Sequence, residues 1–217
     1  MSKKSRSRPR FRLLILSFVI IPLIGAGLYF LFPRQKTLTY YADSDHIEFH
    51  DGDLILRRGK SFVSQLVLLG DKGSQYSHIG IVIIRDNTPY VIHAVPGEAE
   101  NNEPEYVRME TIPEFLDVTK SADFAVYTLK NKYKGIGKKV AEKAYEYYKK
   151  HIQFDFSFNL EDHSRLYCTE LVWCAYLSAD IKLTGSYDEL KIPFYKGDFI
   201  YPSNLLNHSI FKKLYPH

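Results

Sequence analysis

Cysteine is scarce: two residues in 217 allow at most one bridge, which excludes a fold held together by disulfides and makes each thiol a separate question. Glycine (12) and proline (10) are too few for a collagen-like or low-complexity chain. No internal repeat is found, so a repeat array is excluded. Acidic residues are missing from the first twelve positions, where Lys3, Lys4, Arg6, Arg8, Arg10 and Arg12 stand. Without those six cations the net charge of +4 becomes slightly negative, so the rest of the chain has no basic footprint and no nucleic-acid partner is expected. Charge of either sign is absent from Leu13 to Phe32, LLILSFVIIPLIGAGLYFLF, a run of twenty residues.

What is present fits one packed domain with an N-terminal extension: 45% hydrophobic and 25% charged residues give enough apolar surface for a core. At about 1.5 Å per residue, residues 13–32 would cover the roughly 30 Å of a bilayer's hydrocarbon. The run is too long for the apolar region of a cleaved signal peptide, and no clear small-residue cleavage site follows it. An uncleaved single-pass anchor is therefore expected. Residues 1–12 would be a basic cytoplasmic segment, residues 33–45 a tether, and residues 46–217 an extracytoplasmic domain at the cell membrane. Cleavage near residues 26–29, giving a secreted domain, is the alternative.

Within the domain, Asp51-Gly52-Asp53 reads as a turn feeding a strand at Leu54-Ile55-Leu56. HIGIVII (78–84) and YVIHAV (90–95) read as two strands, and Arg85-Asp86-Asn87-Thr88-Pro89 between them supplies a hairpin turn. A further strand is expected over 124–129. Helical spacing marks an amphipathic helix over 135–151 and a largely buried one over 168–179. A late strand-like segment spans 197–201, and residues 97–113, acidic and turn-rich, read as a mobile loop beside the cleft. Strands first and helices after give an α+β fold.

Cys168 stands at the start of the second helix, where unpaired N–H groups and the macrodipole favour an anion such as a thiolate. A depressed thiol pKa is expected there. Cys174 is about 9 Å further along the helix, beyond bridging distance, and reads as a core residue. His78 and His93, fifteen residues apart on the proposed hairpin, can supply a base and a group that orients it. The plain alternatives are a buried apolar cysteine and two satisfied core histidines. His46, Glu48, His50, Asp51 and Asp53 form a cluster read as a polar edge rather than a metal site. Glu161-Asp162-His163 reads as a loop ahead of the helix.

Gly52-Asp53-Leu54-Ile55, then Tyr76-Ser77-His78-Ile79-Gly80-Ile81-Val82, then Tyr167-Cys168-Thr169-Glu170-Leu171-Val172 resembles the YiiX/YaeF-like permuted papain-like amidases, the circularly permuted branch of the NlpC/P60 superfamily. The resemblance implies an antiparallel sheet or half-barrel packed on a cysteine-bearing helix. It implies Cys168 as nucleophile, His78 as general base and His93 as third polar residue, with no cofactor and no metal. Relatives often carry an acid near the place of His93, and the histidine is similar to the His-His-Cys arrangement of lecithin:retinol-acyltransferase-like proteins. Tyr76, as a second oxyanion donor, and Asp155 and Tyr167, as pocket residues, complete the expected site. The implied activity is hydrolysis of amide bonds, with cell-wall peptides as the expected substrate. A lipid-directed thiol esterase or acyltransferase and a non-catalytic binding domain are the alternatives.

Overall fold

The computed structural model describes residues 39–98, 104–189 and 197–216. The basic segment and the expected anchor lie outside these residues. Among the described residues no helix is long and apolar enough to cross a membrane. The expected tether is already docked from residue 39: Val118 N–H donates to the Thr39 carbonyl at 2.8 Å, and Tyr40, Tyr41, Ile47 and Phe49 pack against the core. Their irregular spacing hides a packing role that their aromatic character supplies.

Six strands form one antiparallel sheet: β1 (Leu54–Gly59), β2 (His78–Arg85), β3 (Thr88–His93), β4 (Arg108–Thr111), β5 (Ser121–Leu129) and β10 (Phe211–Tyr215), in the spatial order β10-β5-β1-β2-β3-β4. The β2–β3 hairpin closes on Asp86 and Asn87, both at positive φ (49° and 60°), residues that tolerate the left-handed region and suit a tight hairpin turn. Helix α1 (Phe62–Gly70) follows β1, and a short helix α2 (Ile112–Phe115) follows β4. Helices α3 (Gly137–Lys149) and α4 (Cys168–Leu177) cover the sheet, and α5 (Pro202–Leu206) precedes β10. Two-residue pairings, β6 (Gln153–Phe154) with β7 (Arg165–Leu166) and β8 (Asp188–Glu189) with β9 (Asp198–Phe199), tie the intervening loops.

The expected loop over 97–113 is corrected here. Its described C-terminal part holds β4, whose residues 108–111 pair with residues 90–93. The strand is short and largely polar, so it lacks the apolar alternation that marks its neighbours. The helix expected over 135–151 is shorter at its end, because His151 turns to positive φ (50°).

Side chains of successive strand residues go to opposite faces, and here both faces are buried. Leu54, Leu56, Ile79, Ile81, Ile83, Ile92 and Ala125 join the core shared with α3 and α4. Ile55, Val82, Val91, Phe124 and Val126 form a second cluster with Ile112, Phe115 and Leu116. This two-sided burial is why the strands read as continuous apolar runs. The Asp51–Gly52 turn wedges against the first turn of α3. A Cβ on Gly137 would lie 2.1 Å from the Asp51 carbonyl oxygen, and one on Gly52, at φ +82°, would lie 2.7 Å from the Gly137 Cα.

Gly137→Ala is therefore expected to lower the stability by about 1–3 kcal/mol through overpacking against backbone. Gly135→Ala, where a Cβ meets nothing within 4 Å, should stay within about 0.5 kcal/mol of the parent. Urea unfolding midpoints of the two variants check this pair of outcomes.

Candidate active site

Position parity decides which side chains share a face. On β1 and β2 the residues facing the second cluster include Arg57, His78 and Gly80; on β3 and β4 they include Val91, His93 and Glu110. Arg57 is directly opposite His78, and Glu110 opposite Val91, two residues before His93. Four neighbouring strands thus carry a row of polar side chains into an apolar interior, and each must find its partner there.

They do so in a chain. Glu110 Oε2 is 3.1 Å from His93 Nε2, and His93 Nδ1 is 2.8 Å from His78 Nε2. Burial opposes ionisation of Glu110, yet the hydrogen bond and charge of His93, together with Lys120, hold its carboxyl well below the usual carboxylate range. An ionised Glu110 only accepts, so His93 Nε2–H must donate to it. Neutral His93 then presents a lone pair at Nδ1, which accepts from His78 Nε2–H. His78 is left with its lone pair on Nδ1, the nitrogen not engaged by His93. The anion on β4 therefore fixes both tautomers and leaves the His78 Nδ1 lone pair able to accept a proton. Phe115 holds the pair in place, stacked on His78 at 5.7 Å and edge-on to His93 at 5.0 Å.

The row also sets the charges. Burial, reinforced by the Arg57 guanidinium, drives the His78 pKa well below 6.5, and burial lowers that of His93 despite the nearby carboxylate. Arg57 sits 4.7 Å over the Phe115 ring, donates to the Phe115 carbonyl at 2.9 Å and pairs with Glu98. Lys120 joins Glu98 to Glu110, at 3.0 Å and 3.1 Å.

Cys168 is the first residue of α4, as the sequence suggests. Tyr167 and Thr169 fix this helix start from both sides: the Tyr167 hydroxyl accepts from Ile200 N–H at 3.1 Å, and the Thr169 hydroxyl donates to the Ile200 carbonyl at 2.5 Å. Cys168 keeps a partly exposed surface, but protein atoms crowd its sulfur, and the nearby backbone N–H dipoles of Ile79 and Thr169 favour its anion. Burial outweighs those donors and pushes the thiol up to about 11. This corrects the expected depression. Burial thus disfavours the charged thiol and the charged imidazoles alike, which works against an ion pair at rest.

Cys168 and His78 border one cavity of about 460 Å³. Its walls are mostly apolar: Val63, Leu66 and Val67 of α1 on one side, and Phe154, Phe158 and Phe199 on another. Helix α1 contributes this wall while none of its residues is buried, and Phe62 and Leu69 are largely exposed beside it.

The other sequence candidates divide. Tyr167 lines the cavity. Asp155 is buried in the adjoining loop, where its carboxylate accepts from Ser157 and Asn159, so it holds the turn that presents Phe154, Phe156 and Phe158. The Tyr76 hydroxyl donates to the Phe124 carbonyl at 3.3 Å, which occupies it away from any oxyanion. His50, Asp51 and Asp53 border a separate small cavity with Lys134 and Lys138. Glu110 was missed by sequence reasoning; the T-x-x-E capping box of Thr111 and Glu114, which starts α2 directly after it, is the local signal that a strand ends there. Among the described residues one donor group fits a metal, His163, Glu170 and Cys174 on the far side of α4's first turns. Burial raises Glu170 to about 8 and Cys174 to about 12.

Residues 48–200 match the sequence model of the permuted papain-like amidase enzymes, the YaeF/YiiX, C92 family. The chain is 28% identical over 144 residues to the uncharacterized protein YiiX of Escherichia coli K12; that match covers 64% of this chain and 63% of the relative, less than two thirds of its length. A crystal structure titled metalloprotein yiiX, from Escherichia coli O157:H7, superposes with a TM-score of 0.59 at 21% identity, over 76% of this chain and 96% of that one.

A neutral resting thiol has a direct consequence for its chemistry. Iodoacetamide alkylation of Cys168 in the full-length chain, resolved from Cys174 by peptide mass spectrometry, is expected to rise with pH well beyond 9, following a thiol pushed up to about 11. A midpoint below pH 8 would show that a thiolate–imidazolium pair exists at rest.

Proposed function

The chain belongs to the permuted papain-like amidase family of YaeF and YiiX, and from that premise we propose that it is a cysteine-dependent amidase whose nucleophile is Cys168. The observation that carries this reading is the hydrogen-bond chain Glu110–His93–His78, which ends at the cavity bordered by the thiol.

His78 Nδ1 takes the thiol proton as sulfur attacks the substrate carbonyl, so charge develops only when substrate excludes water from the cavity. The backbone N–H of Cys168, at the start of α4, is the oxyanion donor. Collapse of the tetrahedral intermediate breaks the C–N bond, and the proton held on His78 goes to the leaving amine. Water then attacks the thioester, giving up a proton to His78, and the acid leaves as Cys168 is restored. His93 shares the imidazolium charge with Glu110 and keeps the His78 ring in its useful tautomer.

Within this activity the walls favour an acyl group over a cell-wall peptide. A mostly apolar cavity flanked by an exposed apolar helix suits a long-chain amide or ester. We also propose that residues 13–32 anchor the domain at the membrane, with residues 33–217 on the extracytoplasmic side, beside such substrates.

The test is a series of acyl amides and esters of increasing chain length, set against short wall-peptide amides, with the full-length chain and intact-mass detection of the thioester. A thioester on the parent, absent in Cys168→Ala, with efficiency rising with chain length, is the expected result. Preference for peptide amides would remove the lipid reading and leave the amidase, whereas turnover by Cys168→Ala equal to the parent would remove the thiol mechanism.

Glu110→Gln supplies a separate check on the relay. The glutamine amide can donate to His93 Nε2, which reverses both tautomers and puts a proton on His78 Nδ1. Turnover should fall by about 10²–10⁴-fold with the fold retained, by analogy with other orienting acids. Glu110→Asp, which keeps the charge, should recover part of that loss.

A further inference from the structure

Helix α4 carries a second set of reactive groups that the amidase chemistry does not use. Glu170 and Cys174 are four residues apart and therefore on one face of the helix. Glu170 is fully buried and Cys174 is 7% exposed. From the loop before α4, His163 reaches over them, its Nδ1 2.8 Å from Glu170 Oε1. One nitrogen, one oxygen and one sulfur donor then all lie within 4.8 Å of one another.

Two observations argue against a merely satisfied polar cluster. The Cys174 thiol is more than nine-tenths buried and has no hydrogen-bond partner among the described residues, although it lies within reach of two other donors. Trp173 Nε1, on a ring edge-on to His163 at 5.8 Å, is also buried without a partner. The indole cannot ligate a metal, but its N–H can donate to an anion or water bound to one. Ligand types decide which ion fits: imidazole with thiolate and one carboxylate suits zinc and its borderline neighbours, not calcium or magnesium. Ligand spacing fits as well. Donors around a tetrahedral zinc are about 3.4–3.8 Å apart, so contraction of the thiol and slight opening of the His–Glu contact suffice.

We propose that His163, Glu170 and Cys174 form a binding site for a divalent cation of the zinc class, separate from the nucleophile and tying the 156–166 loop to the first turns of α4. The fourth position is open to water. Glu170 already accepts from the Tyr167 N–H at 3.4 Å, so the ion would rigidify the residue that precedes Cys168.

Cobalt titration of the chelator-stripped, full-length chain reads this out directly, because a thiolate–Co²⁺ bond absorbs in the near ultraviolet. One equivalent of Co²⁺ should produce the band, Zn²⁺ should abolish it, and Cys168→Ala should retain it while Cys174→Ala loses it. His163 is exposed, so His163→Ala should keep the fold and weaken Co²⁺ binding at least about tenfold, which guards against a Cys174→Ala chain that fails to fold. Absence of the band in the parent, or a band lost in Cys168→Ala and kept in Cys174→Ala, would overturn the site. Neither result bears on whether Cys168 forms a thioester, so the two proposals fail independently.

Discussion

Burial of the sheet on both faces is the constraint from which the site follows. A strand with one wet face can leave a histidine to water; here Arg57, His78, His93 and Glu110 project into a second core with Phe115 and Val91, where unpaired polar groups would each cost about 1–3 kcal/mol or more. The two imidazoles and Glu110 find one another, while Arg57 takes the Phe115 carbonyl and Glu98. Adjacent strands place His78, His93 and Glu110 within hydrogen-bond reach of one another, and the Glu110 carboxylate determines where each imidazole proton sits. Orientation of the base is thus a consequence of how the sheet satisfies its own interior.

The same burial decides the resting protonation state. A helix N-terminus stabilises an anion by about 0.3–1 kcal/mol, which is less than one pKa unit, whereas enclosure can shift a group by several units. The sequence shows that Cys168 begins a helix but not how tightly its sulfur is enclosed, so the expectation of a depressed thiol considers only the smaller effect. Enclosure favours a mechanism in which proton transfer and attack are linked, because separated charges have no water to stabilise them until substrate dipoles arrive.

Legibility follows range. The apolar runs at 54–56, 78–84 and 90–95, the Asp86-Asn87 turn and the helix from Cys168 were readable because each is set by residues near in sequence. Cys168, His78 and His93 came with them. Helix α1 was not read, since FVSQLVLLG has apolar residues but no buried stripe to give them a period. Glu110 was not read because its role depends on pairing across β3 and β4, which joins residues seventeen apart through a polar strand. His163 was placed in a loop, correctly, but its partner Glu170 was visible only once the loop folded back over α4.

Helix α4 shows how a buried element satisfies its polar groups one by one. All of Thr169 to Tyr176 is buried, so each polar group on it needs a local partner. Thr169 has the Ile200 carbonyl, Tyr176 donates to the Gly52 carbonyl at 2.5 Å, and Glu170 has His163 and the Tyr167 N–H. Cys168 begins the helix. These contacts anchor the helix to β9, to the β1 turn and to the loop before it, and so fix the sulfur relative to His78 on β2. Trp173 Nε1–H and the Cys174 thiol lack such a contact, and at Cys174 an added ligand bond would stiffen the helix without breaking a hydrogen bond of that side chain.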